Sequence, residues 1–192
     1  MQRILLGALG ALMIATPALA DWTLLGEESK IAFGSIKSDT IGESHHFTGL
    51  SGGVGADGTA TVDIDVASVE TWIDIRNERM RKIVFDSVKF PVAAVSTQID
   101  IDKLSNLKPG ESTVVSTTAN VSLAGIDIPV EADLFVVAIS DNKVLVTTDE
   151  MIMLETADLG IDSDVDELME LASLPSITRV SPVTLRLVFE KE

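Results

Sequence analysis

The sequence predicts an all-β protein with small helices: a single antiparallel barrel of about eight strands, with a capping helix and a second short helix near the C-terminus. Three observations carry this. Apolar and polar residues alternate with period two along most of the chain, the pattern of strands with one buried and one wet face. Turn-forming pairs separate the alternating runs. One stretch, residues 72–91 (WIDIRNERMRKIVFDSVKFP), leaves the alternation for helical spacing, and Pro91 restarts an extended chain.

At the N-terminus, Arg3 precedes the short apolar run Ile4 to Ala15, and Ala18-Leu19-Ala20 forms a small-x-small cleavage site before Asp21. Residues 1–20 are therefore expected to be a secretory signal peptide, too short and poorly flanked to span a membrane. Residues 21–192 suit one domain. Ile31 and Phe33 open the first alternating face. Ala60, Val62, Ile64 and Val66 form the next, after the hairpin signal Asp57-Gly58.

The helix expected over about 73–88 places Ile73, Met80, Ile83 and Val84 on one face and Arg76, Arg79, Arg81 and Lys82 on another. Ala93, Val95, Ile99 and Ile101 follow, then Pro109-Gly110, then Val115, Ala119, Val121 and Leu123. Ala124-Gly125 turns the chain into Ile128, Val130, Ala132 and Leu134, and Asp141-Asn142-Lys143 turns it again. Leu145, Met151 and Met153 are read as one further inward face. A second helix is expected over about 164–174, with Ser163 and Asp166 as its capping pair, a stripe of Val165, Leu168, Leu171 and Ala172, and Pro175 as its stop. Val183, Leu185, Leu187 and Phe189 make the last strand.

Composition narrows the function classes. The net charge is −16 with 30 acidic residues, which repels polyanions and anionic surfaces at long range and disfavours nucleic acid as a partner. Cys is absent, so thiol catalysis, iron–sulfur clusters and thiolate zinc sites are excluded, and no lipoprotein anchor can form. An exported chain without cysteine fits a bacterial periplasm better than a disulfide-stapled secreted scaffold. At this length a single core needs no such staples.

The chain resembles the YceI-like, polyisoprenoid-binding family. The resemblance rests on Trp22-Thr23-Leu24, Ser29 to Phe33, Gly49-Leu50-Ser51-Gly52, Asp63-Ile64-Asp65 through Arg76-Asn77-Glu78-Arg79-Met80-Arg81, Phe85 to Pro91, Val121 to Val130, and Ala157-Asp158-Leu159-Gly160-Ile161. It covers nearly the whole of residues 21–192, in order. It implies a lipocalin-like barrel, a long apolar cavity for an isoprenoid chain (a polyprenyl phosphate or a quinone tail), a periplasmic location, often a homodimer, and no enzymatic chemistry or cofactor. Two segments depart from the family pattern. Ala124-Gly125-Ile126-Asp127 stands where a His-Gly-Val-Thr-like turn is usual, and Thr156 where an Arg is frequent. Both changes weaken a pyrophosphate-binding reading of those positions.

On this reading the cavity wall would be drawn from Phe33, Phe47, Val62, Ile64, Trp72, Met80, Val84, Val121, Leu123, Leu134, Met151 and Met153, apolar groups of the kind that line ligand cavities, with Met adapting to a flexible chain. The same residues would equally fill a dry core. Arg76, with Arg79 and Arg81, is the candidate contact for a headgroup at the mouth; a solvated helix face is the plainer use.

His45 and His46 are the two histidines. Neighbours in a strand face opposite ways and cannot share one metal, so no metal site is expected. His46 is the one read as able to bond a quinone carbonyl, with His45 at the surface. Gly49-Leu50-Ser51-Gly52-Gly53 matches a hydrolase elbow in form, but its flanks are extended and no histidine follows. Asp162, Asp164 and Asp166 mimic the start of a calcium loop, yet Glu167 replaces the needed Gly and Ser173 the closing acid, so helix capping is the preferred reading and a weak surface calcium site the alternative. The expected function is carriage or sequestration of a long apolar isoprenoid. The alternatives are a filled-barrel interaction module and, lastly, an enzyme on a lipid-like substrate.

Overall fold

The computed structural model describes residues 20–191. The expected signal segment, apart from Ala20, lies outside them. Twelve strands and three α-helices follow one another along the chain: β1 (Ala20–Leu24), β2 (Lys30–Lys37), β3 (Ile41–Phe47), β4 (Leu50–Gly55), β5 (Thr59–Asp65), β6 (Val69–Glu70), α1 (Asp74–Arg79), β7 (Val92–Gln98), α2 (Ile101–Ser105), β8 (Ser112–Leu123), β9 (Ile126–Ser140), β10 (Lys143–Thr148), β11 (Ile152–Glu155), α3 (Asp162–Leu171) and β12 (Val180–Lys191). All pairings between these strands are antiparallel.

The strands assemble as an eight-stranded barrel in meander order, because four of its staves are bent and read as two strands each. β12 shows this best. Its C-terminal half pairs with β1 and β10, and its N-terminal half with β2 and β11. Thus β1 with β2 is one stave and β10 with β11 another. β3 and β4 meet the first stave in turn, and β5 and β6 meet β4 and β3. The β1–β12 pairing closes the ring, which removes the free edges an open sheet would present.

The bends are built from side chains that replace lost ladder bonds. Ser29 donates from Oγ to the Leu25 carbonyl at 2.8 Å and accepts from the Val188 N–H at 3.0 Å. Asp65 accepts from the Ala67 N–H at 2.9 Å, and Ser68 Oγ accepts from Gly49 N–H at 2.8 Å. Polar backbone at a bend would otherwise be buried without a partner.

One end of the barrel is crossed by the segment between β7 and β8. Ile99 N–H bonds to the Gly58 carbonyl and Gly110 N–H to the Ala138 carbonyl, so the segment spans from the β4–β5 turn to β9. Within it, α2 buries Leu104. The other end carries α1, a single π-helical turn (Met80–Val84) and α3.

The helix expected over 73–88 is thus shorter and changes pitch at Met80, where Phe85 N–H reaches the Met80 carbonyl at 3.0 Å. The extra residue per turn brings Met80, Val84 and Phe85 all into the core. The second helix starts at Asp162, not Asp164. Ser163 does not cap it; instead the Thr156 hydroxyl bonds to the Asp162 carboxylate, and Arg179 pairs with Asp166. Gly49 to Gly53 runs into β4, so the elbow geometry of a hydrolase is absent there.

Candidate functional site

The inward rows of the barrel do not meet. They surround an apolar cavity of about 580 Å³ that runs from the covered end towards α1 and α3, within the size range of small-molecule sites. Four wall residues are also exposed: Ile73 and Ile75 around the start of α1, Ala172 after α3, and Thr178 before β12. They mark the opening.

Of the residues singled out in the sequence, Phe33, Phe47, Val62, Ile64, Arg76, Met80, Val84, Val121, Leu123 and Leu134 lie on the wall. Trp72, Met151 and Met153 do not, and the expectation is corrected for each. Trp72 is 75% exposed. Its φ of +65° swings the side chain outward against the His46 ring, centroids 5.5 Å apart. Met151 and Met153 are exposed on the outer side, while Ile152 and Leu154 face the cavity. In Met-Ile-Met-Leu every residue is apolar, so alternation carries no phase there.

The wall has a polarity gradient along β2 and β3. The inward row of β2 reads Ile31, Phe33, Ser35, Lys37, and that of β3 reads Phe47, His45, Glu43. Phe33 stacks on Phe47 and tilts against His45, with centroids at 5.4 and 5.2 Å. Beyond them the wall turns polar. Glu43 takes a hydrogen bond from Lys37 Nζ at 2.9 Å and one from Arg76 at 2.6 Å. Burial alone would raise the Glu43 carboxyl, but these bonds and the two cations outweigh it and hold the pKa below the usual range.

His45 also departs from its expected place at the surface. It points inward and is 3% exposed, and His46 points out. Burial first, and the Arg76 cation second, push its pKa down to about 4, so the ring is neutral at pH 7. Its Nε2 and the Ser35 hydroxyl share a hydrogen bond of 3.1 Å. Its Nδ1, like Arg76 Nε, is buried with no partner among the described residues. The parity of Phe33, His45 and Phe47 across one hairpin was the available signal.

The start of α1 is clamped to the barrel. Asn77 is buried, and its carbonyl oxygen accepts from Thr71 N–H at 2.8 Å and Thr71 Oγ at 2.6 Å. Its amide donates to Glu70 at 3.1 Å. Arg76 also donates to the Thr71 carbonyl at 2.7 Å. Arg79 lies on the wall and reaches the Leu171 carbonyl at 3.4 Å, tying the first helix to the third. Arg81 reaches the Val69 carbonyl at 3.4 Å and is not on the wall.

Comparison with known proteins agrees with this geometry. The model of the YceI-like domain matches residues 22–189. No protein among the curated sequences matches the chain. Among solved structures, a polyisoprenoid-binding domain from Saccharophagus degradans, implicated in plant cell wall breakdown, is similar with a TM-score of 0.89 and 31% identity over 91% of this chain and 100% of that one. BcnA from Burkholderia cenocepacia is similar in fold, with a TM-score of 0.66 and 17% identity over 86% of this chain and 98% of its own. A YceI protein from Campylobacter jejuni shares the fold with a TM-score of 0.57 and 15% identity, over 77% of this chain and 85% of that one. A closed antiparallel barrel, an open apolar interior and a family match across nearly all the described residues lead to one assignment: this chain belongs to the YceI-like family.

Proposed function

We propose that this protein binds and carries, or sequesters, a long apolar isoprenoid lipid in the barrel cavity, outside the cytoplasm and without chemical turnover. The carrying observation is the cavity itself, walled by apolar side chains over about 580 Å³ and open beside α1 and α3. Each methylene buried there contributes about 0.8 kcal/mol, so a chain of several isoprene units overcomes its ordering cost without a charged anchor. The Saccharophagus degradans domain, which binds a polyisoprenoid, supports the ligand class by likeness. The signal-like residues 1–20 and the absence of cysteine support a periplasmic location.

A filled barrel acting only as an interaction module fits less well with so large an interior opening. Native mass spectrometry of the protein, purified without detergent from the cell that makes it, tests the reading. The expected result is a co-purifying apolar molecule of several hundred daltons, lost on organic extraction and lost in Leu123→Asp while the β-rich far-UV spectrum persists. Apo protein that takes up no isoprenoid on titration would end the proposal.

A further inference from the structure

One stretch of the barrel wall is built unlike the rest: the seam between β9 and β11. The ladder between β9 and β10 runs as far as Thr148 opposite Leu134, with one further bond from Asp149 N–H to the Asp133 carbonyl at 2.8 Å. From there β11 follows β12 around its bend, while β9 continues beside β8. Among the described residues no strand pairing or backbone hydrogen bond joins β9 to β11. Beyond β11 the chain returns to β9 at Ile126, which packs on Gly160: a methyl group on Gly160 would sit 3.4 Å from the Ile126 side chain. Between these two closures β9 is unpaired on this side for about six residues, a length of about 20 Å. Pro129, with no N–H to give, stands within that stretch, a place proline takes where no partner strand asks for its donor.

The seam is therefore closed by side chains alone. A groove of about 700 Å³ lies along its outer side. Thr117, Val130, Ala132, Ile152 and Leu154 line both that groove and the cavity, and all five are only half-buried. Where strands are laddered, passage through the wall breaks backbone hydrogen bonds; here it needs only new rotamers of residues such as Val130 and Ile152.

We propose that this seam is a side entrance to the cavity, through which the apolar chain of the ligand passes broadside over Val130, Ala132, Ile152 and Leu154. The proposal rests on the carrier reading and adds the route. The far end of the barrel is crossed by the segment that carries α2, so a chain using the mouth alone would thread in lengthwise against the solvent it displaces. A slot along the wall removes both constraints. The banks suit a passage better than a docked strand. Glu131, Asp133, Glu150, Glu155 and Asp158 line the groove and no Lys or Arg does, and charges beside an open edge keep other strands from adding to it.

The chain has no cysteine, so a single introduced thiol reports alone. Ala132→Cys and Ala93→Cys both place one on the cavity wall, the first at the seam and the second inside the β5–β7 ladder at the α1 end. A bulky water-soluble maleimide should label Ala132→Cys at least about tenfold faster, and bound squalene should protect it. The route itself is read from the rate at which the purified protein takes up retinol, a fluorescent isoprenoid. The same bulky label on Met153→Cys, exposed in the groove, should slow uptake about tenfold and leave the final amount bound unchanged. Labels on Leu171→Cys, exposed beside the mouth, and on Asp63→Cys, exposed on the outside of β5, should leave the rate within about twofold. Uptake slowed at Leu171 and not at Met153, equal rates throughout, or equal labelling of the two wall thiols overturns the side entrance while retinol binding keeps the carrier reading. No uptake of retinol by the unaltered protein overturns both.

Discussion

Adjacent residues in a strand have opposite fates, and His45 and His46 show how much follows from that. His45 is neutral inside the barrel, and its ordinary pKa near 6.5 falls to about 4. A histidine whose folded pKa is depressed stabilises the fold fully above its unfolded pKa. That stability is lost as the pH falls from about 6.5 towards 4, because the unfolded chain takes up the proton first. Between pH 7 and pH 5 the expected loss is about 1–2 kcal/mol, reduced by solvent screening through the cavity opening. Urea unfolding at the two pH values checks it: His45→Gln should flatten the slope relative to the unaltered protein, and an unchanged slope would mean the ring is not buried as drawn. Asn77 is the second residue whose role the sequence concealed. It reads as one polar residue of a basic helix, yet its amide makes three hydrogen bonds that hold the strand-to-helix turn. Asn77→Ala should cost about 2–3 kcal/mol, since it strands the buried Thr71 N–H and leaves the Thr71 hydroxyl only its longer bond to the Ile73 carbonyl at 3.4 Å; a change under about 0.5 kcal/mol would refute the clamp. The same turn explains Trp72. Its left-handed backbone, φ +65°, follows from the clamp and not from any local preference of tryptophan, so sequence alone could not place that ring outside.

Elements were legible where pattern and turn chemistry agreed. Asp57-Gly58 and Ala124-Gly125 are hairpin turns, with φ of +81° at Gly58 and +83° at Gly125, and the alternating rows Val62/Ile64, Val121/Leu123 and Val130/Ala132/Leu134 face inward as their spacing requires. The candidate site was legible to the same depth, because a row known to face inward is a row that faces the cavity. Two kinds of element were not. The π-helical turn at Met80–Val84 depends on an inserted residue that helical periodicity cannot register. α2 is five residues long and identifiable only by the burial of Leu104. β11 was misphased, and it offers a direct test. Ile152→Asp puts a carboxylate on the cavity wall and should abolish retention of an apolar ligand, whereas Met153→Asp lies on the outer side and should leave both ligand retention and stability within about 0.5 kcal/mol of the parent. Lipid retention by gel filtration after loading reads the difference. Equal losses from the two variants would show that the strand's phase is unfixed.

At the scale of the whole molecule, a barrel held open is a barrel that forgoes dispersion contacts across its centre. Its stability must come from elsewhere: the closed ladder, and the dense region at the bend between β5 and β6, where Val66 and Val69 are 1% and 0% exposed and do not touch the cavity. Truncation should therefore separate two populations of buried valine. Val69→Ala removes methyl groups packed on every side and should cost about 2 kcal/mol or more in the empty protein. Val121→Ala removes methyl groups that face the void on one side and should cost about half as much. Loading reverses the ranking of what matters. A ligand at a hundred times its Kd adds about 2.7 kcal/mol to the folded state, and Val121 then gains the partner it lacked. The penalty for Val121→Ala should grow on loading with squalene, while the penalty for Val69→Ala stays constant. Thermal unfolding of both variants, stripped and loaded, measures the four values. If Val121→Ala costs the same in both states, the wall does not contact the ligand, and the hollow is a feature of the fold unconnected to carriage.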